Sequence, residues 1–327
     1  MKKTLCLFLS ALLCCSLLTG CAPIKTKIAY TIYPIQYLLS RLVDDSISYE
    51  SIQDDTIIQR ATLKSNYQEI LKDSAVLMHV GQLEPYFSVY SADINETEVT
   101  KLDLSSLNAV YKFQRYTPIV TDGQVTYIEG PYYNDSSFDN IDTDTIDLYL
   151  WTDPIVMLSM AKDICKWLDS TYPEKAQVFD ENLKELETDL FNLDAQYQSL
   201  STSIFNNNKM IRFVSMTASF GNWQKTYGFE VYPVILSKYG VLPNETQLEA
   251  IKQRIIDDNV KYIVYEPNMT EDMIELFDKL QEELGLTRVE LSNLSSLTEE
   301  ENNSGKDYLS IMYENLQVLE LMVEDRN

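Results

Sequence analysis

One segment constrains the fold of this 327-residue chain more than any other. Phe179, Leu183, Leu186, Leu190, Leu193, Tyr197, Leu200 and Ile204 recur at alternating spacings of four and three residues. A helix puts such positions on one face, because 3.6 residues complete a turn. The spacing predicts a helix over residues 173–205, with Ser170 or Thr171 as its cap, Pro173 and Glu174 in its first turn, and Asn206-Asn207-Asn208 as its end. About 30 helical residues span roughly 45 Å, enough to cross a lobe and tie it to a second one.

What flanks this segment decides how it is used. Short β-branched or aromatic runs at residues 27–33, 75–80, 211–216, 260–265 and 287–291 alternate with helical patterns. That alternation predicts an α/β fold of two lobes, each a mostly parallel sheet flanked by helices, joined by the long helix. A coiled-coil dimer would use the same seam, but each lobe needs a helix to cover its sheet, so a connector in a monomer is preferred. Lobe boundaries fall at residues 21–172 and 206–327. Asp122-Gly123 between β-rich runs at residues 117–128 predicts a hairpin, expected as an antiparallel addition to a sheet edge. A cleft between the carboxyl ends of the two sets of strands is where a ligand would bind.

Residues 1–20 carry a different signal. Lys2 and Lys3 precede an apolar run from Leu5 to Leu18, and Leu18-Thr-Gly-Cys21 closes it. This resembles a bacterial lipoprotein signal peptide, with lipidation at Cys21 and a mature chain anchored to the extracytoplasmic face of the cell membrane. Cys6, Cys14 and Cys15 would leave with the leader, so only Cys165 would remain beside the acylated Cys21, and no internal disulfide could form. Cys165 reads as a small core residue of a helix. With 26 Lys+Arg against 50 Asp+Glu the net charge is −24, which argues against nucleic-acid binding. A single histidine excludes any site built from several imidazoles, and no nucleophile–base pair or phosphate-cradling glycine loop occurs, so an enzyme is not expected.

Five motifs then converge on one family. Tyr30-Thr-Ile-Tyr-Pro34, Val80-Gly81-Gln-Leu-Glu-Pro85, Leu150-Trp-Thr-Asp-Pro154, Ser219-Phe-Gly221 and Tyr265-Glu-Pro-Asn268 stand in an order that resembles the metal-receptor lipoproteins of zinc and manganese ABC importers. The resemblance covers nearly all of the mature chain and implies a metal in the interlobe cleft and delivery to a membrane permease. The ligand positions it implies, three histidines and one acidic residue, fall here on Gln59, Tyr149, Thr217 and Ser292. Amide, phenol and hydroxyl groups are poor zinc ligands, so no zinc or manganese site of the family's kind is expected.

Other residues offer weaker alternatives. Asp153 and Glu266 are carboxylates through which a hard divalent cation with oxygen ligands could still be held, helped by Tyr149 or Gln59. Asp153 equally suits a helix start, and Glu84 stands in a similar setting. Tyr33, Tyr149, Trp151 and Trp223 would give the cleft an aromatic lining suited to an organic solute. His79 reads as a strand histidine, and the acidic stretch 139–147 as a solvated loop rather than a calcium loop. The leading reading is a solute-binding lipoprotein with an altered ligand set. The alternatives are a surface lipoprotein that acts by protein interaction with no small solute, and a metal receptor with unanticipated ligands.

Overall fold

The computed structural model describes residues 25–54, 57–106 and 110–326. The leader and Cys21 lie outside these residues. The first lobe runs β1 (Lys27–Tyr30), α1 (Tyr33–Leu42), β2 (Ser48–Ser51), α2 (Tyr67–Asp73), β3 (Val76–His79), α3 (Tyr86–Val89), α4 (Ser91–Glu96) and β4 (Thr100–Asp103). Its sheet has the order β2-β1-β3-β4 and is parallel throughout. Ile28 faces one core while Ala29 faces another with Leu77 and Leu71, so both sides of the sheet are covered. That is why these strands are continuous apolar runs rather than alternating ones. The first run stops at Tyr30 because Pro34, in the opening turn of α1, favours helix there.

A hairpin follows, β5 (Arg115–Thr121) and β6 (Gln124–Gly130). Asp122 and Gly123 both have positive φ, 51° and 76°, the backbone a two-residue hairpin turn of this kind requires. The hairpin joins neither large sheet edge, contrary to expectation; β5 and β6 form a two-stranded sheet of their own. They rest instead on the second lobe, where the Arg115 guanidinium donates to Tyr232 at 2.8 Å and the Lys225 ammonium lies over the rings of Tyr116 and Tyr127.

Then come α5 (Pro154–Thr171) and the 31-residue α6 (Ala176–Asn206). Phe179, Leu186, Leu190, Leu193 and Tyr197 of the predicted stripe are fully buried, with Leu183 and Leu200 partly so. The stripe packs within its own chain, against α1, α5 and the C-terminal helix, so the seam is filled without a second copy. The expected caps differ: the Ser170 and Thr171 hydroxyls bond back to the Trp167 carbonyl, and α6 starts after a short turn at Pro173–Lys175. Asn207 and Asn208, the latter at φ 52°, end it.

The second lobe comprises β7 (Lys209–Met210), β8 (Arg212–Thr217), α7 (Gly221–Tyr227), β9 (Glu230–Ile235), α8 (Glu245–Asp257), β10 (Tyr262–Tyr265), α9 (Glu271–Leu284), β11 (Thr287–Glu290), α10 (Glu299–Asn303), α11 (Tyr308–Leu321) and β12 (Glu324–Asp325). Its parallel sheet has the order β11-β10-β8-β9, and β12 pairs antiparallel with β7. Strand β9 was not foreseen. It carries Pro233, which a strand tolerates here because β9 is an edge. The largest core runs from Ile28 and Leu38 of the first lobe through α6 to Phe213 and Met312 of the second.

Candidate functional site

The carboxyl ends of the strands converge where the lobes meet. Gln59 lies in a turn after β2, Tyr149 just ahead of the turn Leu150–Thr152, Thr217 at the end of β8, and Glu266 one residue past β10. The Gln59 amide donates to the Tyr149 hydroxyl at 2.8 Å, a bond within the first lobe. Glu266, 1% exposed, accepts from the Thr217 backbone N–H at 2.8 Å, the Thr217 hydroxyl at 2.5 Å, the Ser219 hydroxyl at 3.1 Å and the Asn293 amide at 2.9 Å. Burial pushes this carboxyl above its ordinary range and the four donors pull it back. Its oxygens are therefore engaged by the protein, which leaves it a weak metal ligand.

Three of the four positions taken from the motifs thus share one region. Ser292 does not join them. Its N–H and C=O pair with the Asn315 side chain at 3.0 and 2.8 Å, and its hydroxyl accepts from the Leu294 N–H. It lines a separate cavity of about 410 Å³ with Tyr265, Glu290 and Lys306, and its neighbour Asn293 makes the contact to Glu266 instead. Tyr33 also stands apart, beside Asp307 and Tyr308 at the start of α11, its ionisation pushed up by burial. Trp151 is a core anchor: it is fully buried, its indole N–H donates to the Asn293 carbonyl at 2.7 Å, and its ring packs on Tyr149 at 5.1 Å. Trp223 is likewise buried, donating to the Thr152 carbonyl.

Asp153 is a helix cap. One oxygen accepts from the N–H groups of Ile155 and Val156 at 2.8 and 3.2 Å, the other from the Thr226 hydroxyl at 2.8 Å, so it has no oxygen turned to the cleft for a metal. His79 contacts the Gly81 carbonyl at 2.9 Å and stacks near Phe87, and burial lowers its pKa. The Cys165 thiol is pushed up to about 12, first by burial and then by Asp169, which makes it unreactive.

Two functional-looking residues escaped the sequence reading. Asp147 is 3% exposed; one oxygen accepts from the Tyr149 N–H at 3.0 Å, and the other lies against Gly221 at the start of α7, where the Asn222 backbone N–H favours the charged form. Burial, with Asp144 adding repulsion, raises Asp147 to about 7, and burial raises Asp144 to about 6. Both line a cavity of about 20 Å³ together with Gln59, Tyr149, Ser237 and Lys238. The sequence signal was a lone carboxylate in the apolar run Ile146-Asp147-Leu148-Tyr149-Leu150-Trp151. Its acidic upstream neighbours disguised it as part of a solvated loop.

Zinc needs imidazole, thiolate or free carboxylate donors. Around Thr217 and Glu266 the chain offers hydroxyls, amides and one saturated carboxylate, which do not fit a zinc ion. Tyr149 cannot ionise to help, since burial and the nearby Glu266 hold its phenol far above the ordinary value. The lobes also meet directly: the Arg60 guanidinium forks onto Asp272 at 2.7 and 3.1 Å and donates to the Gly240 carbonyl at 3.1 Å.

A family model described as zinc-uptake complex component A, periplasmic (ZnuA), matches residues 28–321, which takes in both lobes and every element around this site. The chain belongs to the ZnuA family. The family's description is of a component of zinc uptake. The zinc-binding lipoprotein AdcA of Streptococcus pneumoniae (strain ATCC BAA-255 / R6) is 25% identical over 320 residues, covering 95% of this chain and 59% of AdcA. The chain therefore spans less than two thirds of that relative. The high-affinity zinc uptake system protein ZnuA of Bacillus subtilis (strain 168) is 25% identical over 174 residues, 53% of this chain and 52% of that protein. Among solved structures, the AdcAII protein of Streptococcus pneumoniae has a TM-score of 0.70 at 18% identity, covering 92% of this chain and all of the other. The Zn(II)-bound ZnuA-like domain of AdcA gives 0.65 at 19% identity, with 90% and 98% covered. At these identities the structures establish the shared two-lobe fold.

Proposed function

We propose that this chain is the extracytoplasmic receptor of an ABC importer, lipid-anchored through Cys21, which takes its solute between the lobes 21–172 and 206–327 and hands it to a membrane permease as a monomer. The observation that supports this reading is the family match across both lobes and the connecting helix. One of the relatives named above is a zinc-binding lipoprotein and another a protein of a zinc uptake system, which supports a metal as cargo. The ligand set has changed, however. Gln59, Tyr149 and Thr217 stand where the resemblance implied histidines, and the chain's one histidine, His79, is in strand β3. A zinc receptor of the usual donor set is therefore disfavoured. A second reading draws on the Gln59–Tyr149 bond and the saturated Glu266, which fill the region where a solute would sit. On that reading the chain is a surface lipoprotein that works by protein interaction alone.

In-cell cross-linking of the full-length lipoprotein, followed by identification of captured membrane proteins, separates the two. Capture of a permease supports the importer receptor. Capture of other surface proteins with no permease overturns it in favour of the second reading.

A further inference from the structure

We propose that the cavity between the loops that follow β3 and β9 takes a small zwitterion of the amino-acid class, with its ammonium against the Asp144 carboxylate and its carboxylate against the Lys238 ammonium. This rests on the reading of the chain as a receptor that holds its solute between the lobes, and it names a solute other than a bare ion. The cavity measures about 340 Å³, a size that organic solutes occupy and far more than one ion needs. Its walls come from both lobes: Leu83 and the stretch 143–146 with Leu148 belong to the first, Lys238 and Tyr239 to the second. A molecule seated here would therefore touch both.

The charges decide the class of solute. Among the described residues Asp144 and Lys238 are the two charged side chains that line the cavity, one of each sign. A lone cation would meet the Lys238 ammonium and a lone anion the Asp144 carboxylate, each a like charge at short range. A zwitterion laid the right way round meets neither. The two side chains do not satisfy each other. The Lys238 ammonium pairs at 2.9 Å with Asp142, which lies outside the lining, and Asp144 makes no hydrogen bond or ion pair among the described residues. Burial holds the Asp144 carboxyl up at about 6, as expected of a carboxylate short of donors, and a solute ammonium would supply them. An ammonium has three N–H donors, so Lys238 can keep Asp142 and still donate to a solute carboxylate. Leu83, Ile146 and Leu148 give the solute's side chain an apolar wall.

Calorimetric and thermal-shift titration of the mature lipoprotein in detergent tests the assignment with the standard free amino acids and a set of dipeptides, with chelator present throughout so that no metal contributes. At least one member of the panel is expected to bind one-to-one and to raise the melting temperature. Its N-acetyl derivative lacks the ammonium and its amide lacks the carboxylate, so each should bind about tenfold more weakly or worse. Asp144→Asn and Lys238→Met should each weaken the parent amino acid by a similar factor, and Lys238→Arg should keep most of the affinity. Asp139→Asn, an exposed change upstream in the same stretch, should leave it unaltered. Asp144 and Lys238 are both only partly buried, and the melting temperature without ligand reports whether each variant folds. The assignment is overturned by a panel in which nothing binds, by derivatives that bind as tightly as the parent, or by full affinity in both the Asp144→Asn and Lys238→Met variants. A captured permease together with a silent panel would sink the zwitterion site and leave the receptor reading standing. A silent panel with no permease captured would sink both.

Discussion

Glu84 sits between β3 and α3 with no exposed surface, and neither of its oxygens has a hydrogen-bond partner among the described residues. Burial raises its pKa to about 7; the Asp103 carboxylate adds to the rise, and the nearby Thr31 hydroxyl only moderates it. The folded protein therefore holds a proton on Glu84 at a pH where the unfolded chain, with an ordinary value near 4.5, has lost it. Between those values the native state binds more protons, so stability must fall as pH rises from about 4.5 to 7 and stay lowered above that. The full penalty is about 3 kcal/mol. Glu84→Gln removes the titration, and urea unfolding at pH 5 and pH 8 should show the variant losing less stability across that interval than the natural chain. Identical slopes would refute the assignment. Nothing in the sequence near Glu84 announces this burial: a carboxylate before a proline looks like a helix-start charge, and only the packing of β1, β3 and α3 seals it. Asp147 was hidden for the same reason, whereas Gln59, Tyr149 and Thr217 were reached by motif counting because each lies a few residues from a strand end or a proline. Ser292 stands apart from those three because its backbone is held by the Asn315 side chain, more than twenty residues further along the chain.

At the scale of elements, a short-range signal was sufficient wherever local chemistry fixed the structure. The four-and-three stripe located α6, and Asp122-Gly123 located the hairpin turn. What the hairpin would pack against was not legible, because that depends on Arg115 meeting Glu230 and Tyr232, more than 100 residues away. Helix α5 is a further case of local control. Its N-terminal N–H groups at Ile155 and Val156 have Asp153 as their acceptor, and Pro154 presets the first turn. Asp153→Ala should cost about 1–2 kcal/mol, with Asp153→Asn recovering most of it by keeping the cap oxygen. Chemical denaturation of the pair checks this. Equal losses from both substitutions would mean that the charge, and not the hydrogen bonds, carries the effect.

The whole molecule is two sheets held to one long helix by a continuous core, with a second point of contact where Arg60 reaches Asp272 and Gly240. Gly240 allows that approach: it has φ +66°, and an added Cβ would stand 3.0 Å from the Gln59 side chain. Besides the core around α6, the lobes are tied by the Arg60 contact and by buried bonds such as the Trp151 indole to the Asn293 carbonyl. The Arg60 and Asp272 side chains are 35% and 42% exposed, which limits their ion pair to about 1 kcal/mol or less and makes it sensitive to salt. A contact of that size matters only if open and closed arrangements are nearly balanced, as a receptor that must both capture and release requires. Arg60→Ala should then enlarge the radius of gyration measured by small-angle X-ray scattering at low ionic strength. About 1 M salt, which shortens the screening length to about 3 Å, should move the natural chain the same way. The exchanged pair Arg60→Asp with Asp272→Arg should return the variant toward the compact form. Scattering that is unchanged in all three cases would mean that buried contacts such as Trp151 with Asn293 close the lobes, and that Arg60 merely decorates an interface already shut.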